Sequence, residues 1–241
     1  MYPILFKYKF ITIYSYGLMI ALAFLVVIFF TARETKKYNI NPKDIWDLGF
    51  WTVISGILGA RILYVILEWP SYKNNLLEII MINHGGLIFY GGLLLSIPAL
   101  FLYLKIKKIN FFNVAKSVIV YLPLGHAIGR VGCFLNGCCH GKRTDSWLYS
   151  SQLYESAWNL FIFIFLLILR KKAKDQKILF YFYLLLYGIG RFVIEFTRGD
   201  AVTILGGLRI SQWISILLII VGLYGCGTRM TRMARINTDF N

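Results

Sequence analysis

Three observations predict an all-α, polytopic integral membrane protein, a helical bundle of about seven transmembrane helices. Hydrophobic residues make up 58% of the 241 residues and charged residues only 15%, against about 25% charged in an ordinary soluble domain. Mean hydropathy is +0.65. Apolar runs near the roughly 20 residues that a bilayer core requires recur along the whole chain, separated by short charged breaks.

Taken in order, the runs fall at about 14–31, 45–67, 87–104, 111–128, 153–169, 178–196 and 210–226. The first follows "KYK" as a secretory signal would, but it is longer than a usual signal core and ends in "RETKK" rather than at a small-residue cleavage site. It therefore reads as a retained span. Gly91, Gly92 and Pro98 interrupt the third, and Lys116 and Pro123 the fourth. No soluble domain, long linker or internal repeat separates the spans, so residues 1–241 read as a single transmembrane domain.

The formal net charge of +15 would suggest a nucleic-acid partner in a soluble protein. Between membrane spans, the positive-inside rule and anionic lipid surfaces account for it, and no nucleic acid is expected. Arg33, Lys36, Lys37, Lys43, Lys105, Lys107, Lys108, Arg170, Lys171, Lys172, Lys174, Lys177, Arg229, Arg232 and Arg235 lie in alternate breaks and the C-terminal tail. The opposite side carries Lys7, Lys9, Lys73, Arg130, Lys142, Arg143, Arg198 and Arg209. That asymmetry predicts the N-terminus outside and the C-terminus in the cytoplasm. With this orientation the polar and glycine-rich clusters gather on the outer side. They are Tyr16, "ARILY" (60–64), "NHGGLIFYGG" (83–92), "GRVGCFLNG" (129–137), "SQLYE" (151–155) and "RFVIEFTRGD" (191–200). Clusters from six helices at one depth predict a pocket.

Ionisable groups inside spans are costly and mark function. Arg61, Arg191 and Glu195 lie in or near spans, with Arg130 and Arg198 at span ends. Arg191, Glu195 and Arg198 are spaced to share one helical face, where a carboxylate can hold a guanidinium whose paired donors suit phosphate. Against this stand snorkelling for Arg61 and Arg198 and a structural ion pair for Arg191 and Glu195. The runs at Gly91–Gly92 and at Gly129 and Gly132 read either as anion-attracting helix ends or as helix-packing positions. Cys133, Cys138, Cys139 and His140 lack the spacing of paired zinc ligands, so no metal is expected. A disulfide from Cys133 to Cys138 or Cys139 and reduced, soft packing residues both remain open. His84, His126 and His140 read as hydrogen-bonded or solvated rather than catalytic.

These motifs resemble the phosphatidylglycerol:prolipoprotein diacylglyceryl transferase family of the bacterial inner membrane. The resemblance rests on Tyr16-Gly17, "GARILY", "GGLIFYGG", "GRVGCFLNGCCHG", "SQLYE" and "RFVIEFTR" in order on six spans. Of the family pattern G-R-x-G-N-F-x-N-x-E-x-x-G the chain keeps Gly129, Arg130, Gly132, Phe134, Asn136 and Gly141. Cys133 stands at the usual asparagine, Cys138 at the usual glutamate, Tyr90 at the usual histidine of H-G-G, and "YSSQLYE" at H-P-S-Q-L-Y-E.

The resemblance implies transfer of a diacylglyceryl group from phosphatidylglycerol to the lipobox cysteine of a preprolipoprotein, giving a thioether and glycerol phosphate. The partners implied are phosphatidylglycerol, the lipobox segment and membrane lipid, with no cofactor. Arg130 and Arg191 are the expected phosphate-stabilising residues, Glu195 the residue that orients Arg191, and Tyr90 the acceptor of the thiol proton. Tyr16, Arg61, Asn136 and Arg198, with Gly129, Gly132, Gly91 and Gly92, are the expected substrate contacts. Two other readings stand beside it: a diverged paralogue acting on another thiol or phospholipid, and a non-enzymatic anionic-lipid binder or transporter. A thioether is a poor leaving group, which disfavours covalent relay through an enzyme cysteine. A Cys133→Ser, Cys138→Ser, Cys139→Ser variant is therefore expected to keep most transferase activity in a glycerol phosphate release assay, and complete loss in the folded variant would restore the relay.

Overall fold

The computed structural model describes residues 2–8, 11–73, 75–81, 85–138, 150–173, 175–198 and 207–238. A short antiparallel hairpin, β1 (Ile4–Tyr8) and β2 (Ile11–Tyr14), precedes α1 (Ser15–Glu34). Then come α2 (Pro42–Leu67), the short α3 (Trp69–Tyr72), α4 (Phe89–Ile106), α5 (Phe111–Asn136), α6 (Ser151–Lys172), α7 (Lys177–Ile194) and α8 (Ile210–Thr238). Among the described residues seven helices are long and apolar enough to cross a membrane, at the positions that hydropathy predicts.

The departures are local. The hairpin pairs Phe6 with Ile13 and Tyr8 with Ile11, a departure from the all-α expectation. α5 runs two turns beyond its predicted end at residue 128, through Gly129 and Gly132 to Asn136. The glycines do not break it, because a neighbouring helix occupies the space they leave: a Cβ on Gly132 would stand 2.8 Å from Met19 Cβ of α1. Small residues at such crossings let helices approach closely in a bilayer.

The chain divides into two compact units, Met1–Phe30 with Ala115–Asn241, and Thr31–Val114. In the first, the core is where α5, α6 and α7 meet: Ile119, Val120, Ile162, Leu166, Leu179 and Tyr183 are all buried. α8 packs on α7 through Gly188, whose missing Cβ leaves room for Ser215 O and Ile219, and through Gly222, which faces the Leu185 backbone. The hairpin is tied to α5 by Tyr2 N–H, which donates to Leu135 O at 2.9 Å. Asp175 anchors the far end of α8 by an ion pair with Arg229 at 2.5 Å.

In the second unit, Asn41 caps α2, its side chain accepting from Lys43 N–H at 3.0 Å, and Pro42 supplies the first helical φ. α2 and α4 cross backbone to backbone at Gly59 and Gly91. A Cβ on Gly59 would overlap Gly91 O and lie 2.6 Å from Leu95 Cβ. Tyr103 and Lys107 of the α4 end meet Asp44 of the α2 start, the Lys107–Asp44 pair at 3.1 Å. The crossing at Gly59 generates a prediction: Gly59→Leu is expected to destabilise by at least the roughly 1–3 kcal/mol typical of overpacking, read as a lowered melting temperature in detergent, while Gly17→Leu, with open space around it, leaves it unchanged.

Candidate active site

Within the first unit, a chain of charged side chains runs across α5, α6, α7 and the approach to α8. Glu155, in the first turn or so of α6, stands at its centre. Its Oε2 is 2.6 Å from Arg130 Nε on α5, and its Oε1 is 2.5 Å from Arg191 Nη1 on α7. Arg191 Nη2 lies 3.0 Å from Glu195 Oε2, one helical turn along. That contact is an ion pair whose geometry falls short of a hydrogen bond, so Glu195 Oε2 is buried with no hydrogen-bond donor among the described residues. Arg209, just before α8, approaches Glu195 from the other side, with Nη1 2.5 Å from Glu195 O and 3.5 Å from Oε1. Its Nη2 donates to Arg198 O at 3.0 Å.

The burial of this chain is graded. Glu155 and Glu195 are 6% and 1% exposed, while the Arg130 side chain keeps 25% of its surface accessible and that of Arg191 17%. The carboxylates are thus interior and the guanidiniums line the accessible side. Among the described residues the chain of ion pairs joins three guanidiniums, those of Arg130, Arg191 and Arg209, to two carboxylates.

Local packing fixes the members. Asn159 Nδ2 donates to Glu155 O at 2.8 Å, and Ser156 Oγ donates to Ala127 O of α5 at 3.0 Å. Gln152 Nε2 donates to Cys138 O at 2.7 Å, which joins the start of α6 to the end of α5. Behind the arginines, Tyr183 and Tyr187 of α7 stack at 5.6 Å, with the His126 ring 5.5 Å from Tyr187 and its Nδ1 3.5 Å from Tyr183 OH. Along the outer surface of α6 and α7 runs an apolar groove of about 520 Å³, lined by Tyr154, Trp158, Phe161, Ile189 and Val193 among others.

The sequence-derived residues divide clearly. Arg130, Arg191 and Glu195 come together through Glu155, and the Arg198 backbone joins them through Arg209. Tyr16 lies on the first turn of α1, with its Cα 3.7 Å from where a Cβ on Gly132 would be, and Gly129 faces Ile20. Gly129 and Gly132 therefore sit mid-helix as packing positions and not at an anion-binding helix end. Asn136 closes α5.

Tyr90, Gly91 and Gly92 lie in the second unit, in the first turn of α4. Tyr90 is 66% exposed, and Gly91 is buried against Gly59. Arg61, expected to contact substrate, is 5% exposed and satisfied by backbone. Its Nε donates to Ile79 O at 3.0 Å, Nη1 to Gly85 O and Gly86 O at 2.5 and 3.1 Å, and Nη2 to Glu78 O and Met81 O at 2.5 and 3.2 Å. A guanidinium has five N–H donors. All are met by carbonyls, so Arg61 organises the connection between α3 and α4 and has none left for a phosphate. His84, Cys139 and His140 lie outside the described residues.

Two members of the cluster escaped sequence reasoning. Glu155 was visible only as the last letter of "SQLYE", although it shares with Asp47 and Glu195 the distinction of being a carboxylate inside a predicted span. In the sequence, Arg209 reads only as one basic residue of a break between spans.

Seven helices among the described residues that are long and apolar enough to span a bilayer, with an arginine–carboxylate cluster set into the α5–α7 packing, define a multi-pass membrane protein. A family model described as prolipoprotein diacylglyceryl transferase matches residues 3–227. A phosphatidylglycerol–prolipoprotein diacylglyceryl transferase of Clostridioides difficile is 38% identical over 88% of this chain and 89% of its own length. One from Streptococcus mutans is 37% identical over 92% of each chain, and one from Listeria monocytogenes 34% identical over 99% of this chain and 92% of its own. The chain belongs to the prolipoprotein diacylglyceryl transferase family.

Glu155 is the member whose loss the geometry makes most costly, because both arginines lose their shared partner. Glu155→Gln is expected to destabilise the fold by about 3 kcal/mol, the scale for leaving buried charges unpaired, and to depress turnover along with it. A double-mutant cycle with Arg191→Gln checks this, with a coupling energy near zero refuting the bridge.

Proposed function

We propose that this chain transfers the diacylglyceryl group of phosphatidylglycerol to the lipobox cysteine of a preprolipoprotein, at a site facing the outer leaflet of the bacterial cytoplasmic membrane. The observation that carries the reading is the Arg130–Glu155–Arg191–Glu195 chain, with interior carboxylates and guanidiniums on the accessible side. Family membership narrows the anion to a lipid phosphate.

In the reaction, the sulfur of the substrate cysteine attacks the glyceryl carbon that bears the phosphate ester oxygen. The C–O bond breaks, its electron pair leaves with glycerol phosphate, and the thiol proton goes to an acceptor. Negative charge grows on the phosphate as the bond breaks. Arg130 and Arg191, already locked by Glu155, stabilise that charge without reorganising, which is where fixed donors contribute most to rate. Glu195 and Arg209 hold Arg191 from behind. Tyr16 and Asn136 position head-group oxygens, and Arg198 guards the entrance. The groove along α6 and α7 offers an acyl chain an apolar path continuous with the helices that carry Glu155 and Arg191. Tyr90 is the proposed proton acceptor; a thiol with an ordinary pKa near 8.5 needs only modest help.

The test is glycerol phosphate release from phosphatidylglycerol in the presence of a lipobox peptide. Arg130→Ala and Arg191→Ala are each expected to lower kcat by roughly 10²-fold or more, and Tyr90→Phe to lower it with a changed pH profile. Lipid binding without glycerol phosphate release in the wild type would favour a binding or transport protein. A fully active Tyr90→Phe would remove Tyr90 as proton acceptor and leave the arginine roles standing.

A further inference from the structure

The C-terminus of α5 carries a feature that the transfer reaction does not use. Gly137 has φ +76°. Its N–H donates to Phe134 O at 3.2 Å, and Cys138 N–H donates to Cys133 O at 3.1 Å. This pair of bonds around a left-handed residue is the Schellman cap, which sets the residues at the two ends of the loop beside each other. Here both of those positions are cysteines. The N–H to carbonyl bond brings their Cα atoms to roughly 6 Å, inside the range a disulfide spans. Cys138 Sγ already leans over the turn, 3.7 Å from Cys133 O. Neither sulfur is in a disulfide; Cys133 is buried and Cys138 partly exposed.

We infer that Cys133 and Cys138 form a reversible disulfide-forming modification site, in which Cys133 resolves oxidation of Cys138 by a peroxide-class oxidant. The more exposed Cys138 sulfur attacks a peroxide oxygen. The O–O bond breaks, a sulfenic acid forms on Cys138, and the departing alkoxide or hydroxide takes the Cys138 proton. Cys133 sulfur then attacks Cys138 sulfur, the S–S bond forms, and the expelled hydroxide leaves as water with the Cys133 proton. The two thiols together lose two electrons, which the peroxide gains.

A neighbouring thiol that traps the sulfenic acid keeps the sulfur from passing to sulfinic acid, which thiol reductants do not reverse. The protection matters at this position because Cys138 O is held by Gln152 of α6, within the same helical turn as Glu155. A permanent sulfinate there would add a negative charge beside the anion-binding cluster. The inference takes its oxidising setting from the outward orientation proposed above.

The experiment uses the full-length chain in membranes, treated with hydrogen peroxide, blocked with maleimide and analysed as the peptide between Arg130 and Lys142. Wild type and Cys139→Ser are expected to yield a peptide two hydrogens lighter with two fewer blocked thiols, restored by phosphine reduction along with glycerol phosphate release. Cys133→Ser and Cys133→Ala are expected to lose that species, to accumulate sulfinic acid on Cys138, and to stay largely inactive after reduction. Loss of the light peptide in Cys139→Ser would overturn the assignment, as would full recovery of Cys133→Ser or absence of the species in wild type, a readout that needs no variant to fold. An impermeant maleimide on intact cells reports the orientation separately: labelling only after permeabilisation would refute the outward site. Untreated wild type lacking glycerol phosphate release would refute the transferase reading, and the mass of the peptide would still decide the thiol chemistry.

Discussion

The Glu155 carboxylate, held between two guanidiniums on different helices, is the interaction on which the rest of the structure depends. A carboxylate so nearly excluded from solvent has to be paired, and one oxygen each to Arg130 and Arg191 satisfies it while fixing the spacing of α5 and α7 about α6. The pairing repeats one step further out, where Glu195 takes Arg191 on one side and Arg209 on the other. Each arginine is oriented by a carboxylate behind it. The carboxylates are interior, and the guanidiniums keep the accessible side.

The same residue type does opposite work in the second unit. Arg61 is as deeply placed as the carboxylates, but its partners are backbone carbonyls of residues 78–86. Those carbonyls belong to a connection with two successive glycines at positive φ, Gly85 and Gly86. The guanidinium fork gathers them, with Glu78 O also accepting from Met81 N–H at 3.2 Å. An intramembrane arginine therefore signals a polar obligation met locally, and only its partners say whether that obligation is catalytic or architectural.

Glycine shows a similar ambiguity. "GRVG" reads as a helix end, and in the fold it lies inside α5, where Gly129 and Gly132 admit α1. "YGG" reads as an anion loop, and Gly91 instead lets α4 touch α2. The residue that does terminate α5 is Gly137, through its left-handed backbone, and it does so between Cys133 and Cys138.

Hydropathy and charge determined the number and approximate limits of the spanning helices, because a bilayer imposes length and composition on each segment independently of its neighbours. The ordered motifs determined the family, and with it Arg130, Arg191 and Glu195 as candidate site residues. The tertiary structure alone decided that Glu155 is the hub, that Arg209 joins it, and that Arg61 is spent on backbone. Those outcomes depend on which side chains from distant helices come within hydrogen-bond distance, and a guanidinium's partner 36 residues away along the chain, as Glu155 is for Arg191, leaves no periodic trace in the sequence.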